Sequence, residues 1–197
     1  MARMRISLRF ALVVLCAVVL CAAVTLVVRP VSPTVAVLAN VILSPPGKGL
    51  PASFHVWQSV SVNQGMVVYY TFDHLDQQRK PGECGFVSYV RRRAIGWQII
   101  GKYGGCLPVG AGTGPFMAVS RGWDIPGEPA WSEVHGTATA AGVDSLRVAW
   151  SDGMIQTVAL IDGHYLLTRS GRADVLQIET LDRAGTVIDT HNQVTSP

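Results

Sequence analysis

His55, Asp73, His74, Asp76 and Glu83 form the densest group of metal-type ligands in the chain. A divalent ion needs three or four such groups converging. Their spacing matches no helix-borne or loop-borne pattern, so the stretch reads first as a solvated polar loop. Ser88, Ser120 or Ser151 with a His and an Asp would supply a nucleophilic triad, but the chain has no Gly-x-Ser-x-Gly elbow. Gly110, Gly112 and Gly114 suggest a phosphate cradle. Such a cradle needs a helix whose first amides face the anion, and here Pro115 and an apolar, strand-like run follow. No motif calls for a cofactor.

Two groups of residues suit binding better than catalysis. Arg91, Arg92 and Arg93 are the only basic run outside the N-terminal region. They read either as a solvated hairpin turn or as a contact for anionic lipid headgroups or a wall polymer. Of the five tryptophans, Trp57, Trp97 and Trp150 fall on strand-like segments and are expected in the core. Trp123 and Trp131 fall in an irregular stretch and are the candidates for an exposed binding surface.

The segment that positions all of these is residues 10–28, apolar throughout except for Thr25. As a helix it would be about 28 Å long, close to the thickness of a bilayer's hydrocarbon core. Arg3, Arg5 and Arg9 precede it and only Arg29 follows closely. Basic residues stay on the cytoplasmic side, which puts residues 30–197 outside. A cleaved signal peptide is the rival reading, with Val37 and Ala39 suiting a cleavage site before Asn40, although its apolar core is usually about 7–15 residues. Leu15 and Leu20, ahead of Cys16 and Cys21, are too large for a lipidation signal. The net charge of +3 belongs to this topology. Setting aside the arginines at 3, 5, 9 and 29 leaves 12 basic against 13 acidic residues, a formal −1 that gives no footing for a nucleic-acid partner. Cys84 and Cys106 lie in the outer part, where a disulfide would close a loop of about 23 residues, worth about 3 kcal/mol, with Cα atoms about 4.4–6.8 Å apart.

Residues 30–52 hold five prolines and read mainly as a linker, although the apolar segment 35–43 fits a strand or a short helix. From Ser53 the pattern is β-like. Segments 54–62 and 66–72 flank an Asn63-Gln64-Gly65 hairpin connection, and the polar stretch 73–83 reads as a loop. Segments 85–91 and 97–103 flank a turn at 92–96, and 116–120 fits one more strand. In the last third, 134–139, 145–150, 155–161, 165–168, 175–181 and 187–190 alternate with turn signals about 10–12 residues apart. The fold class expected is an all-β outer part, an antiparallel sandwich or small barrel, preceded by a single transmembrane helix. At the turn 182–185, Gly185 is expected at positive φ, with Asp182 accepting turn amides.

The last third resembles an immunoglobulin-like sandwich. More narrowly, residues 54–190 are similar to small bacterial envelope proteins with one N-terminal membrane segment. The likeness rests on the aromatic strand Val67-Val68-Tyr69-Tyr70, the segment Gly85-Phe86-Val87, and the basic turn from Arg91 to Gly96-Trp97. It continues through His135-Gly136-Thr137, residues 143–150 and Leu181-Asp182-Arg183-Ala184-Gly185. The resemblance implies location and fold, with no catalytic residue to carry over. The patterning along the chain divides it into a tip and anchor (1–29), a linker (30–52), an N-terminal β-rich half (53–132) and a C-terminal immunoglobulin-like half (133–197). The function expected is a membrane-anchored module of the bacterial cell membrane, its C-terminal part outside, binding an envelope protein or polymer. The alternative is an envelope hydrolase or metal-dependent enzyme using His55, Asp73, His74 or Asp76.

Overall fold

Alternating residues along 67–72 are apolar on both sides of a strand, so each face needs its own cover. The computed structural model, which describes residues 14–22, 24, 30–43, 48–49, 53–75, 81–108 and 115–192, supplies one on each side. The elements are α1 (Pro33–Leu43), β1 (Lys48–Gly49), β2 (His55–Val62), β3 (Gly65–Leu75), β4 (Pro81–Arg93), β5 (Gly96–Pro108) and β6 (Phe116–Trp123). They continue with β7 (Trp131–Ala138), β8 (Ser145–Trp150), β9 (Ile155–Ala159), β10 (His164–Ser170), β11 (Val175–Leu181) and β12 (Val187–His191).

The strands form three antiparallel sheets. In the first, β4 lies between β3 and β5, and β1 and β2 share the other edge of β3. The second has the order β10-β7-β6 and the third β12-β11-β8-β9. Three cores separate four layers. Ala36, Val37 and Val41 of α1 pack on Val68, Tyr70, Phe72, Cys84 and Phe86 of the first sheet. Val67, Tyr69, Val87 and Tyr89, on its opposite face, pack on Trp123, Trp131 and Leu166 of the second sheet. Val134, Ala138 and Tyr165, on the far face of the second sheet, pack on Leu146, Val148, Trp150 and Ile178 of the third. Each such apolar side chain contributes about 1.5–3 kcal/mol when fully buried.

The second and third sheets form a two-sheet sandwich, not a barrel. Hairpins join β6–β7, β8–β9 and β11–β12, while the connections β7–β8, β9–β10 and β10–β11 cross between sheets, as in immunoglobulin-like sandwiches. Strands β8 and β11 have the bounds expected from the apolar alternation, and the other expected runs of the last third fall on strands within a few residues. The two segments read as apolar at even positions in β2 divide instead. A bulge between Val56 and Gln58 leaves Phe54 and Val56 in the core on the α1 side of the first sheet and turns Val60 and Val62 toward the second sheet.

One open reading is resolved and one expectation is corrected. Residues 33–43, inside the expected linker, take the helical alternative and enter the core. Ser32 caps the helix, its Oγ accepting the Val35 N–H at 3.2 Å, and Pro33 occupies the first turn where a missing N–H costs nothing. The polar stretch 73–83 is not a loop throughout, because β3 runs to Leu75 and β4 begins at Pro81, with Asp73 opposite Glu83. Ladder hydrogen bonds carry these polar residues along as an extension of a strongly apolar hairpin. The expected membrane anchor falls partly outside the described residues. Residues 14–22 and 24 are helical, and among the described residues no helix is long and apolar enough to cross a membrane.

Cys84 and Cys106 are disulfide-bonded. They sit directly opposite each other on β4 and β5, which brings their Cα atoms to 3.9 Å, closer than the expected range. At the β11–β12 turn, Gly185 has φ +81°. Asp182 Oδ1 accepts the N–H groups of Ala184 and Thr186, both at 2.8 Å. A Cβ on Gly185 would meet no atom within 4 Å, so its requirement for glycine is conformational. Gly185→Val is therefore expected to cost about 1–2 kcal/mol in denaturant unfolding. Asp182→Asn, which keeps the acceptor, should leave the unfolding midpoint nearly unchanged.

Candidate functional site

The three arginines of the basic run do not act together. Arg91 turns inward and pairs with Glu128 at 2.5 Å, and the carboxylate, 3% exposed, also accepts the Tyr89 hydroxyl. Burial and the Glu128 charge both push the Tyr89 hydroxyl up, so it stays protonated and donates. Asn63 Nδ2 donates to Pro129 O at 2.9 Å, tying the same loop to the β2–β3 turn. Arg91 thus holds residues 124–130 on the first sheet. Arg92 and Arg93 stay exposed at the end of β4, beside the turn residues Ala94 and Ile95.

Trp123 and Trp131 are not an exposed platform. They are 7% and 1% exposed and stack on each other, with centroids 5.0 Å apart and planes 7° apart. The irregular stretch between them reverses the chain from β6 to β7, and the register then places the two rings face to face between the first two sheets. A Cβ on Gly101 would lie 2.5 Å from Trp123 Cζ3, so β5 carries glycine where that ring lies against it. The Arg121 guanidinium covers the outer edge, 4.6 Å from the Tyr103 centroid and 5.5 Å from that of Trp123.

The titratable cluster that the sequence reading missed lies between the same two sheets. Glu133 and His135 are two apart on β7 and so point to one face, toward Tyr69 of β3. His135 Nδ1 stands 3.3 Å from Glu133 Oε2, but not in hydrogen-bond alignment, and both Glu133 oxygens lack a hydrogen-bond partner among the described residues. Arg121 is opposite Glu133 in register, yet its guanidinium is spent on the two aromatic rings. Tyr69 Oη lies 3.3 Å from His164 Nδ1. The Trp57 ring stacks on His164 at 3.6 Å, and exposed His55 closes the row 3.9 Å from Trp57. Trp57 Nε1 donates to Thr71 Oγ1 at 2.9 Å, which fixes its plane.

The electrostatics make Tyr69 and His164 a poor nucleophile and a poor base. Burial, then the Glu83 and Glu133 charges, push the Tyr69 hydroxyl well above its ordinary value. Burial and the neighbouring His55 push His164 down to about 4, against a smaller opposing pull from Asp162. At neutral pH a protonated Tyr69 therefore shares a hydrogen bond with an uncharged His164, whose tautomer sets which of the two donates. The signal that could have found the cluster is Glu133-Val134-His135, two ionisable residues on one face of an otherwise apolar strand.

The remaining candidates are dispersed. Ser88 is buried and bonded to the Tyr70 hydroxyl at 3.2 Å, Ser120 is buried in β6, and Ser151 Oγ accepts the Asp174 N–H at 2.9 Å. Asp76 and residues 109–114 lie outside the described residues. Among the described residues no group of three or more His, Cys, Asp or Glu is placed to hold a metal ion. No protein family, curated protein or solved structure matches the chain.

Two outcomes test these roles. Arg91→Ala strands the Glu128 carboxylate and should destabilise by about 3 kcal/mol or more, whereas Arg93→Ala should change the unfolding free energy by under about 0.5 kcal/mol. His164 carries a lowered pKa in the fold. Between about pH 6.5 and 4 the unfolded chain therefore binds a proton that the folded chain does not. Its contribution is fully present above about pH 6.5 and is lost as pH falls toward 4. His164→Phe keeps a ring against Trp57 and should flatten the fall in unfolding free energy measured between pH 7 and pH 5.

Proposed function

We propose that this chain is a single-pass, membrane-anchored module of the bacterial cell membrane, with its β sheets outside the cytoplasm, that binds an envelope protein or polymer. The observation that carries the reading is the apolar run 10–28 preceded by three arginines. In its described part, residues 14–22 and 24, every side chain is exposed, so this stretch lends no apolar surface to the three cores. A bilayer is the cover such a run requires. Cleavage before Asn40 would cut through α1 and remove Val37, which is fully buried against the first sheet, so the packing of α1 favours an uncleaved anchor. The disulfide suits an oxidising compartment.

Binding is favoured over catalysis by the state of Tyr69, His164 and Glu128. Tyr69 is held protonated, His164 neutral, and the Glu128 carboxylate is taken up by Arg91 and Tyr89. Among the described residues the third sheet has two unpaired edge strands with exposed apolar side chains, Ile155 on β9 and Val187 and Ile188 on β12, where an extended partner segment could add a strand.

The full chain should stay with membranes through alkaline carbonate extraction. Protease added to spheroplasts should cut residues 53–197 at exposed turns and spare Arg3 to Arg9. Release by carbonate, or protection of the β sheets in intact spheroplasts, overturns the reading.

A further inference from the structure

The β4–β5 hairpin is pinned to the exit of the proposed anchor. The Trp97 N–H donates to the Pro30 carbonyl at 3.0 Å. Trp97 lies opposite Arg92 in register, and Arg93 lies opposite Gly96. Pro30 is two residues beyond Val28, the last residue of the apolar run, and two residues span at most about 7 Å. The hairpin tip is therefore held within a few residues' reach of the place where the chain would leave the hydrocarbon.

The side chains there suit a membrane surface. Ile95 at the turn is 61% exposed and Val31, next to Pro30, is 71% exposed. Arg92 and Arg93 are exposed, Arg29 is adjacent to Pro30 in sequence, and the half-buried Trp97 lies opposite Arg92 on β5. Long cationic side chains that reach headgroups, an apolar side chain between them and an aromatic ring alongside are the composition of an interfacial anchor. Of the described acidic residues, Glu128 is neutralised by Arg91, while Asp73 and Glu83 lie opposite each other at the other end of β3 and β4. Glu83 is ten residues from Arg93 along one strand, about 33 Å. The hairpin is also stiff, closed by the Cys84–Cys106 disulfide at its far end and held near its tip by Arg91–Glu128.

We infer that Arg92, Arg93 and Ile95 form a foot that seats on anionic phospholipid headgroups beside the anchor and fixes the orientation of the β sheets over the bilayer. The inference rests on the membrane-anchor reading. Its probe is full-length protein with Cys16→Ser and Cys21→Ser, carrying a single environment-sensitive fluorophore on Ile95→Cys or, for comparison, on Ala184→Cys in the β11–β12 turn. Each is reconstituted into phosphatidylglycerol–phosphatidylethanolamine vesicles or into phosphatidylcholine vesicles. In the anionic vesicles the label at 95 should emit to the blue of the label at 184 and be severalfold less quenched by acrylamide. Adding Arg92→Glu and Arg93→Glu, or moving to phosphatidylcholine, should remove most of that protection.

Carbonate-resistant integration with equal quenching at 95 and 184 overturns the foot and leaves the anchor standing. Protection at 95 that survives both the charge reversal and the neutral lipid overturns recognition of anionic headgroups. Release of the reconstituted chain by carbonate overturns the anchor, and the foot with it. Retained disulfide and β-sheet circular dichroism in the Arg92→Glu, Arg93→Glu variant exclude unfolding as the cause of lost protection.

Discussion

Strands β3 and β4 carry apolar side chains on both faces, and neither face can be left in water. That constraint orders the rest of the molecule. Val68, Tyr70, Phe72 and Phe86 need a cover on one side, and α1 provides it with Val37 and Val41. Val67, Tyr69, Val87 and Tyr89 need one on the other, and the stacked Trp123 and Trp131 provide it. The second sheet is then itself covered twice, which is why β7 is buried along most of its length. Among the described residues, the outer surface of the third sheet, the outer surface of α1, the sheet edges and the ends of the hairpins face solvent, lipid or a partner.

Burial on both faces also explains where the polar chemistry sits. A sheet buried on one face can turn its ionisable residues to water, and β7 cannot. Glu133 and His135 are consequently enclosed with Tyr69, and His164 is half-enclosed at the margin of the same layer. Low polarity favours the neutral forms, holding Tyr69 protonated and His164 deprotonated. The same enclosure makes Arg91 a structural residue, since Glu128 would otherwise be a buried, uncompensated charge. Arg92 and Arg93, one and two residues further along, are past the edge of the packed layers and keep their charges for the surface.

The alternation of apolar residues, the turn signals and the two outer cysteines were sufficient to read an antiparallel, mostly β fold, the positions of most strands and the Cys84–Cys106 pairing. These are local properties. A period of two residues, a glycine at positive φ in the β11–β12 turn and an aspartate accepting turn amides all act within a few residues of one another. The basic run and the apolar N-terminal segment were legible for the same reason.

Tertiary structure decided what depends on residues far apart in sequence. Periodicity could not choose between helix and strand for 33–43. The choice was made by the apolar face of the first sheet, which takes a helix with Val37 and Val41 one turn apart. The bulge in β2 could not be seen in an alternating pattern, because it changes which face a residue joins without changing its type. Trp123 and Trp131 looked loop-borne until pairing of β6 with β7 placed them face to face. Pro30 and Trp97, separated by most of the first sheet in sequence, meet only because α1 folds back along that sheet. The sequence determined that an apolar segment and a basic turn exist; only the fold brought them together.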